Sequence, residues 1–263
     1  MTGVPHSGQH PTLTVVIPTR NAAPLLTDAL ESVAFADEII VVDMHSTDET
    51  SEVCARHPQC RLVEREDYIF GNVNYGFELA RGDWVMRLDS DERVTPELAA
   101  EIKEIVGSSP DGIHGYEFWE RPFVLGKELS HGFGKKHYRP MLFRRGSARH
   151  AVESEHESLE TTGTWVRARN GYLHYNYRTV GEYLRKIDYY TDRDVERMVL
   201  SEAPRVRTAI VEPIRAFYLY YLKYQGYRDG WIGFLDATMR SVYQFVQWAK
   251  VRERWEHEMA PTS

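Results

Sequence analysis

Along the first hundred residues, short unbroken apolar runs alternate with longer stretches in which apolar residues recur at helical spacing. Leu13-Thr14-Val15-Val16-Ile17 is a β-rich run stopped by Pro18, which predicts a first strand followed by a loop, Thr19-Arg20-Asn21. From about Pro24, residues Leu26, Ala29, Leu30 and Val33 share one helical face. Ile39-Ile40-Val41-Val42, ending at Asp43, is the near-continuous run of a strand buried on both faces. Ser46-Thr47-Asp48-Glu49-Thr50 supplies cap and first-turn chemistry for a helix through about Arg56. Arg61-Leu62-Val63-Glu64 predicts a third strand, Asn72 to Ala80 a third helix, and Asp83 to Leu88 a fourth strand. Strands alternating with helices predict βαβ units, and hence an α/β fold on a Rossmann-like, mostly parallel sheet with right-handed crossovers.

The pattern changes past Gly107. Tyr116-Glu117-Phe118-Trp119-Glu120-Arg121 alternates as a strand does, and Met141-Leu142-Phe143-Arg144 reads as another. The loop between them, Gly126 to His137, is rich in Gly, Lys and His. Lys127, Lys135, Lys136, Arg139, Arg144 and Arg145 either meet phosphate or acidic groups of a ligand or form a solvated face. The last third is helical and aromatic. Ile210, Ile214, Phe217, Tyr218, Tyr221 and Leu222 fall on one face of a Val206–Tyr224 helix. After a break at Gly226–Gly230, Trp231, Phe234, Leu235, Met239, Val242, Phe245 and Val246 repeat the spacing. Such faces, bordered by Arg, Lys, Tyr and Trp, lie in a membrane interface, or pack on the rest of the fold or on a second copy of the chain.

With 263 residues the chain can bury one sizeable core and an appended subdomain. A net charge of −7 leaves no global basic field for nucleic acid. The two cysteines, Cys54 and Cys60, lack metal-site spacing and a disulfide framework, which points to reduced thiols in a cytosolic setting. The opening Met1 to Pro11 is polar and lacks the apolar core of a secretion signal. No run of about 18 apolar residues is present to span a bilayer. A cytoplasmic protein is expected.

Candidate chemistry sits at the strand ends. The fourth strand runs into Asp89, Asp91 and Glu92. Alternation along an extended chain points Asp89 and Asp91 to the same side, where both can meet one hard cation such as Mg2+ or Mn2+. The alternative is an acidic turn capping the helix that starts near Pro96. Pro18-Thr19-Arg20-Asn21 follows the first strand and Asp43 ends the second. A parallel α/β sheet binds ligands outside these ends. Acids there can accept from ribose hydroxyls or uracil N–H, although Asp43 alone also reads as a helix N-terminal acid. No G-x-G-x-x-G follows the first strand and no P-loop is present, which argues against dinucleotide and P-loop ATP sites.

Val15–Asn21, Ala36–Asp43, Ser46–Thr50 and Ala80–Val94 together resemble the family 2 glycosyltransferases. Within that family the chain is most similar to the bacterial lipopolysaccharide-core glucosyltransferase branch. It shares His131-Gly132-Phe133, Arg139–Arg144, His156-Glu157-Ser158, His174-Tyr175-Asn176-Tyr177-Arg178 and Asp229-Gly230-Trp231-Ile232-Gly233-Phe234. The resemblance implies a GT-A fold, a UDP-sugar donor (UDP-glucose or a related hexose), a divalent metal (Mn2+ or Mg2+) and inversion by one in-line displacement. It implies that Pro18, Thr19 and Asn21 flank the nucleoside, that Asp43 contacts uridine, and that Asp89 approaches ribose or metal. Asp91 becomes the principal metal ligand, with His156 and His174 as metal or phosphate contacts. Glu153, Glu155, His156 and Glu157 are candidate bases by type, and the resemblance favours Glu157.

Three departures stand out. Ala22 replaces an acid. Asn72-Val73-Asn74 replaces a Gln-basic-Asn sequence, keeping Asn74 for the donor but removing a cation from the diphosphate. Met44-His45 replaces small residues, so that His45 is either a new donor contact or a solvated loop residue.

The expected organisation is a disordered lead-in over 1–11, a nucleotide-sugar half over 12–106, an acceptor half of the same GT-A domain over 107–180, and a helical extension over 181–263. The acceptor is expected to be an envelope saccharide or glycolipid at the inner leaflet. Transfer to a protein or small molecule, or a catalytically silent binding protein in envelope assembly, are the alternatives.

Overall fold

The computed structural model describes residues 10–151, 159–198 and 203–258. Most of the expected lead-in, and Glu153, Glu155, His156 and Glu157, lie outside the described residues.

In chain order the first elements are β1 (Leu13–Thr19), α1 (Ala23–Ser32), β2 (Glu38–Asp43), α2 (Thr50–Ala55), β3 (Cys60–Glu64), α3 (Ile69–Leu79), β4 (Trp84–Arg87), β5 (Glu92–Arg93) and α4 (Pro96–Ser108). Then follow β6 (Ile113–Val124), β7 (Lys127–Glu128), β8 (Tyr138–Arg144), β9 (Ala148–His150), β10 (Leu159–Thr161) and β11 (Thr164–Tyr177). Helices α5 (Val180–Arg197), α6 (Val206–Phe217) and α7 (Gly230–Glu258) complete the described chain. It divides into two compact units. One runs up to Glu120 and takes in Tyr138–His174, and the other joins Arg121–His137 to the chain from Tyr175 onward.

In the first unit, β3, β2, β1 and β4 pair in parallel in that order, as the alternation of elements predicts. Beyond β4 the sheet continues through β8, β6, β11 and β5. The β4–β8, β8–β6 and β11–β5 pairings are antiparallel, so the sheet is mixed. The apolar run of β2 explains the layering. Ile39 and Val41 join Val15, Ile17, Leu26, Leu30, Leu98 and Ile102 on one side, while Ile40 and Val42 join Val16, Val73 and Phe77 on the other. Gly76 lets α3 press onto the sheet, since a Cβ there would lie 2.3 Å from a Val16 methyl.

Pro18 does not stop β1, which runs two residues past Ile17. Its missing N–H faces the β4 side, because Val16 O, two residues back, accepts from the Leu88 amide. On that side the pairing ends at Val16, opposite Arg87. No ladder bond is forfeited there.

In the second unit, β7 pairs with the Phe123–Val124 end of β6. Val124, Leu129, Tyr183, Ile187 and Ile232 form the core. The expected Val206–Tyr224 helix is α6 followed by a π-helical turn, Tyr218–Lys223. The apolar face expected on α7 splits. Leu235, Met239, Val242 and Val246 pack on this core, whereas Trp231, Phe234 and Phe245 are exposed.

The 121–137 segment is tied to the helices by a clasp. The Asp229 carboxylate accepts from the amides of Ser130 and His131 (3.2 and 2.8 Å), and its other oxygen pairs with His131 Nδ1 at 2.9 Å. Gly132, at φ +59°, donates its amide to Tyr224 O at 2.8 Å. A Cβ there would also crowd Tyr220 O at 3.1 Å. Both turns belong to motifs singled out in the sequence, and they meet each other.

Candidate active site

The first two strand ends lie side by side, with Thr19 opposite Asp43 in register. Ser46 donates its amide to Asp43 Oδ2 at 3.0 Å and its hydroxyl to Oδ1. Ser46 Oγ in turn accepts from the Asn21 amide at 2.8 Å. Asn21 adopts φ +50°, and its Oδ1 accepts from the Thr47 amide at 2.7 Å. Asp48 accepts from the amides of Ala23 (3.0 Å) and Thr50 (3.2 Å). The polar run that reads as a cap for α2 is thus divided: Asp48 holds the first amide of the helix, while Ser46, Thr47 and the other Asp48 oxygen stitch two strand-end loops together. The residue at the α2 N-cap, Glu49, makes no side-chain cap bond. Thr19 Oγ1 is buried in this stitched region and has no hydrogen-bond partner among the described residues.

At the end of β4 the chain turns, and the Glu92 amide donates to Asp89 O at 2.9 Å. The strand therefore ends before Asp91, and a turn carries the chain from Asp89 to Glu92. Arg87 forks onto the Asp89 carboxylate through Nε (3.0 Å) and Nη2 (3.2 Å), and Arg139 Nη1 approaches it at 3.4 Å. Burial opposes ionisation of Asp89, but the two guanidinium groups prevail and hold its pKa below the usual carboxylate value. Glu92 is fully buried and accepts from Arg139 Nη2 at 2.6 and 2.8 Å and from the Asp89 amide at 2.8 Å. There burial prevails over Arg139 and the pKa is raised. Arg139, read from the sequence as either a ligand contact or part of a solvated face, is engaged with the chain's own acids. Arg144 is likewise occupied, donating to the carbonyls of Ile113, Ser109 and Pro110.

Asp91 Oδ1 lies 3.5 Å from His174 Nε2, and His174 Nδ1 sits 2.7 Å from Glu120 Oε1. Burial disfavours the imidazolium, yet Asp91 and Glu120 carry the His174 pKa up to about 10. Among the described residues, no three or more His, Cys, Asp or Glu side chains converge as a ready-made metal cage. The donor set still fits a divalent cation completed by a ligand's phosphates, for which one or two protein ligands suffice. A carboxylate behind the far ring nitrogen is the usual way a metal-binding imidazole is oriented. Glu120, which the sequence reading did not single out, holds that position.

A third group connects α3 to this turn. Asn74 closes both ends of its amide on the His150 backbone, donating to O at 2.9 Å and accepting from N at 2.8 Å. The His150 ring stacks on Phe70 with centroids 4.4 Å apart, and its Nε2 meets Arg87 Nη1 at 3.0 Å. Since the guanidinium can only donate, Nε2 is the acceptor and the ring is neutral. Burial, with Arg87 beside it, pushes the His150 pKa down to about 3. Between an unfolded value of about 6.5 and the folded one, the unfolded chain binds the extra proton, so stability falls as pH drops through that window. The expected slope approaches ~1.4 kcal/mol per pH unit, read by urea unfolding between about pH 6.5 and 5, above most carboxylate titration. His150→Gln keeps an acceptor for Arg87 and should flatten the slope. Parallel slopes for both proteins would show that His150 is not held neutral.

Residues 14–125 match the family model described as Glycosyl transferase family 2. The lipopolysaccharide core biosynthesis glycosyltransferase LpsC of Rhizobium meliloti is 28% identical over 242 residues, spanning 89% of each chain. The chain is thus similar to glycosyltransferase family 2 over residues 14–125, and to LpsC along most of its length. An uncharacterized glycosyltransferase of Rickettsia felis is 22% identical over 92% of this chain and 89% of its own. Among solved structures, the mannosyltransferase PcManGT of Pyrobaculum calidifontis, in complex with GDP-Man and Mn2+, is 16% identical with a TM-score of 0.49, covering 96% of this chain and 77% of the other.

The fold is the expected α/β arrangement, a mixed sheet with helices followed by a C-terminal helical segment. Thr19, Asn21, Asp43, Asp89, Asp91 and His174 are all placed in the first unit. Asn74 is there too, with its amide committed to His150. His45 is exposed, at φ +54°. Among the described residues no helix is long and apolar enough to cross a membrane.

Proposed function

We propose that this protein is a glycosyltransferase that moves a hexose, glucose in the first instance, from a UDP-sugar to an envelope saccharide such as lipopolysaccharide core. The observation that carries the donor side is the Asp91–His174–Glu120 constellation beside the β4 turn. The acceptor class rests on the relation to LpsC along nearly the whole length of both chains.

Asp91 and His174 would hold Mn2+ or Mg2+, with Glu120 fixing the imidazole. Charge neutralisation of the leaving diphosphate is the chemistry that such an ion supplies when bound. Asp43, aimed by Ser46, retains lone pairs for a uracil N–H. Arg87 and Arg139 keep Asp89 ionised, so that its unshared lone pairs can accept from ribose. In the transfer, the acceptor oxygen forms a bond to the anomeric carbon as the bond from that carbon to the diphosphate oxygen breaks. The electron pair leaves with UDP, and the acceptor proton passes to a carboxylate. By resemblance that carboxylate is Glu157. A membrane surface is where a lipid-linked acceptor would be met.

Glu157→Gln should leave donor binding intact and slow transfer by at least about 100-fold, the usual scale of general-base catalysis. Unchanged turnover in that variant would move the role to Glu153, Glu155 or another acid. The donor is tested by thermal shift against UDP-, GDP- and dTDP-sugars with manganese, since a ligand that binds only the folded state raises the melting temperature. UDP-hexoses should give the largest shift, and a GDP-sugar outperforming them would overturn the donor assignment.

A further inference from the structure

Helix α6 is packed inside out for a water-soluble helix. It rests on α7 and buries its small residues, Ala209 and Ala216. The large apolar residues Val206, Ile210, Ile214, Tyr218 and Leu222 are between 51% and 66% exposed. These five recur every fourth position. In an α-helix a step of four overshoots a full turn by ~40°, so a strict four-residue repeat drifts around the axis. The π-helical turn at Tyr218–Lys223 holds more residues per turn. Its step of four falls short instead, which swings Leu222 part of the way back. The turn thereby limits the drift of the outward stripe.

The border of the stripe has one dominant sign. Arg207, Arg215, Lys223 and Arg228 are exposed along it. From 203 to 230 the sequence holds five basic and two acidic residues, in a chain whose net charge is −7. One of the two acids, Asp229, is spent on His131, and the other, Glu212, pairs with Arg215. Exposed Tyr227 and Trp231 follow, with the Lys127 ammonium over the Trp231 ring at 5.2 Å. A two-fold dimer through this face would oppose the basic border to itself. An anionic bilayer complements it, with apolar side chains at the acyl boundary, aromatic rings at headgroup level and cations among the phosphates.

We propose that α6 and its π-helical turn form the surface that seats this protein on an anionic membrane, lying on the bilayer without crossing it. The test is flotation of the full chain with two kinds of vesicle, phosphatidylcholine alone and phosphatidylcholine with about a third phosphatidylglycerol. Preferential flotation with the anionic vesicles is expected, weakening as salt is raised because the Debye length shortens. Ile210→Asp with Ile214→Asp should reduce binding at least about tenfold at an unchanged melting temperature, since both side chains already face water. Arg207→Gln with Lys223→Gln, which cannot unfold a buried core, should lower binding to the anionic vesicles alone. Absence of flotation by the wild-type protein would overturn the proposal. So would a collapsed melting temperature in the Asp variant together with retained binding in the Gln variant. A dimer in sedimentation that the Asp variant dissociates, with vesicle binding unaffected, would assign the face to a second copy instead.

Discussion

Asp91→Asn is expected to lower sugar transfer by at least about 100-fold and to remove the metal-dependent part of donor binding, with little change in melting temperature. The change is nearly isosteric, and His174 keeps Glu120 as a partner, so no buried cation is stranded. What is lost is the anionic oxygen beside Nε2, and a neutral amide is a far weaker ligand for a hard cation. Initial rates with saturating manganese, alongside a thermal melt, measure both halves. A variant that retained wild-type turnover in the presence of a chelator would remove the metal role from this residue.

Arg139→Met should cost about 3–5 kcal/mol of stability, because it leaves Glu92, which is fully buried, without its guanidinium. Breaking such a pair from one side strands a charge or forces a proton onto it, whereas removing both members is cheaper. Arg139→Met with Glu92→Gln should therefore recover much of the loss. Urea unfolding of the two variants decides the matter. If the double variant is as unstable as the single one, the cost lies in the packing of Arg139 over Tyr172 and not in the ion pair.

What the sequence made legible was local. The run Ile39–Val42 announces a doubly buried strand because each residue faces one of two helical layers, and four of the first-unit strands follow from such runs. The acids after β4 are legible for the same reason. The partners each carboxylate meets are not, because they depend on a turn closed by the Glu92 amide and on residues 47 to 54 positions away in the case of Arg139–Glu92 and Glu120–His174. Ser46, Thr47 and Asp48 have the chemistry of a helix cap; Asp48 keeps that role toward Thr50, and only the approach of the β1 loop diverts the rest. Likewise, helical spacing finds the apolar residues of α6 but cannot say that alanines face inward and isoleucines outward. That outcome depends on how closely α7 packs.

The claim that unites the site is that UDP is held through a divalent cation on Asp91 and His174. Calorimetric titration of UDP into the protein, once with manganese and once with a chelator, tests it most directly. Saturable binding with manganese, lost with the chelator and lost in Asp91→Asn, is the predicted result. Equal binding of UDP in all three titrations would contradict the account.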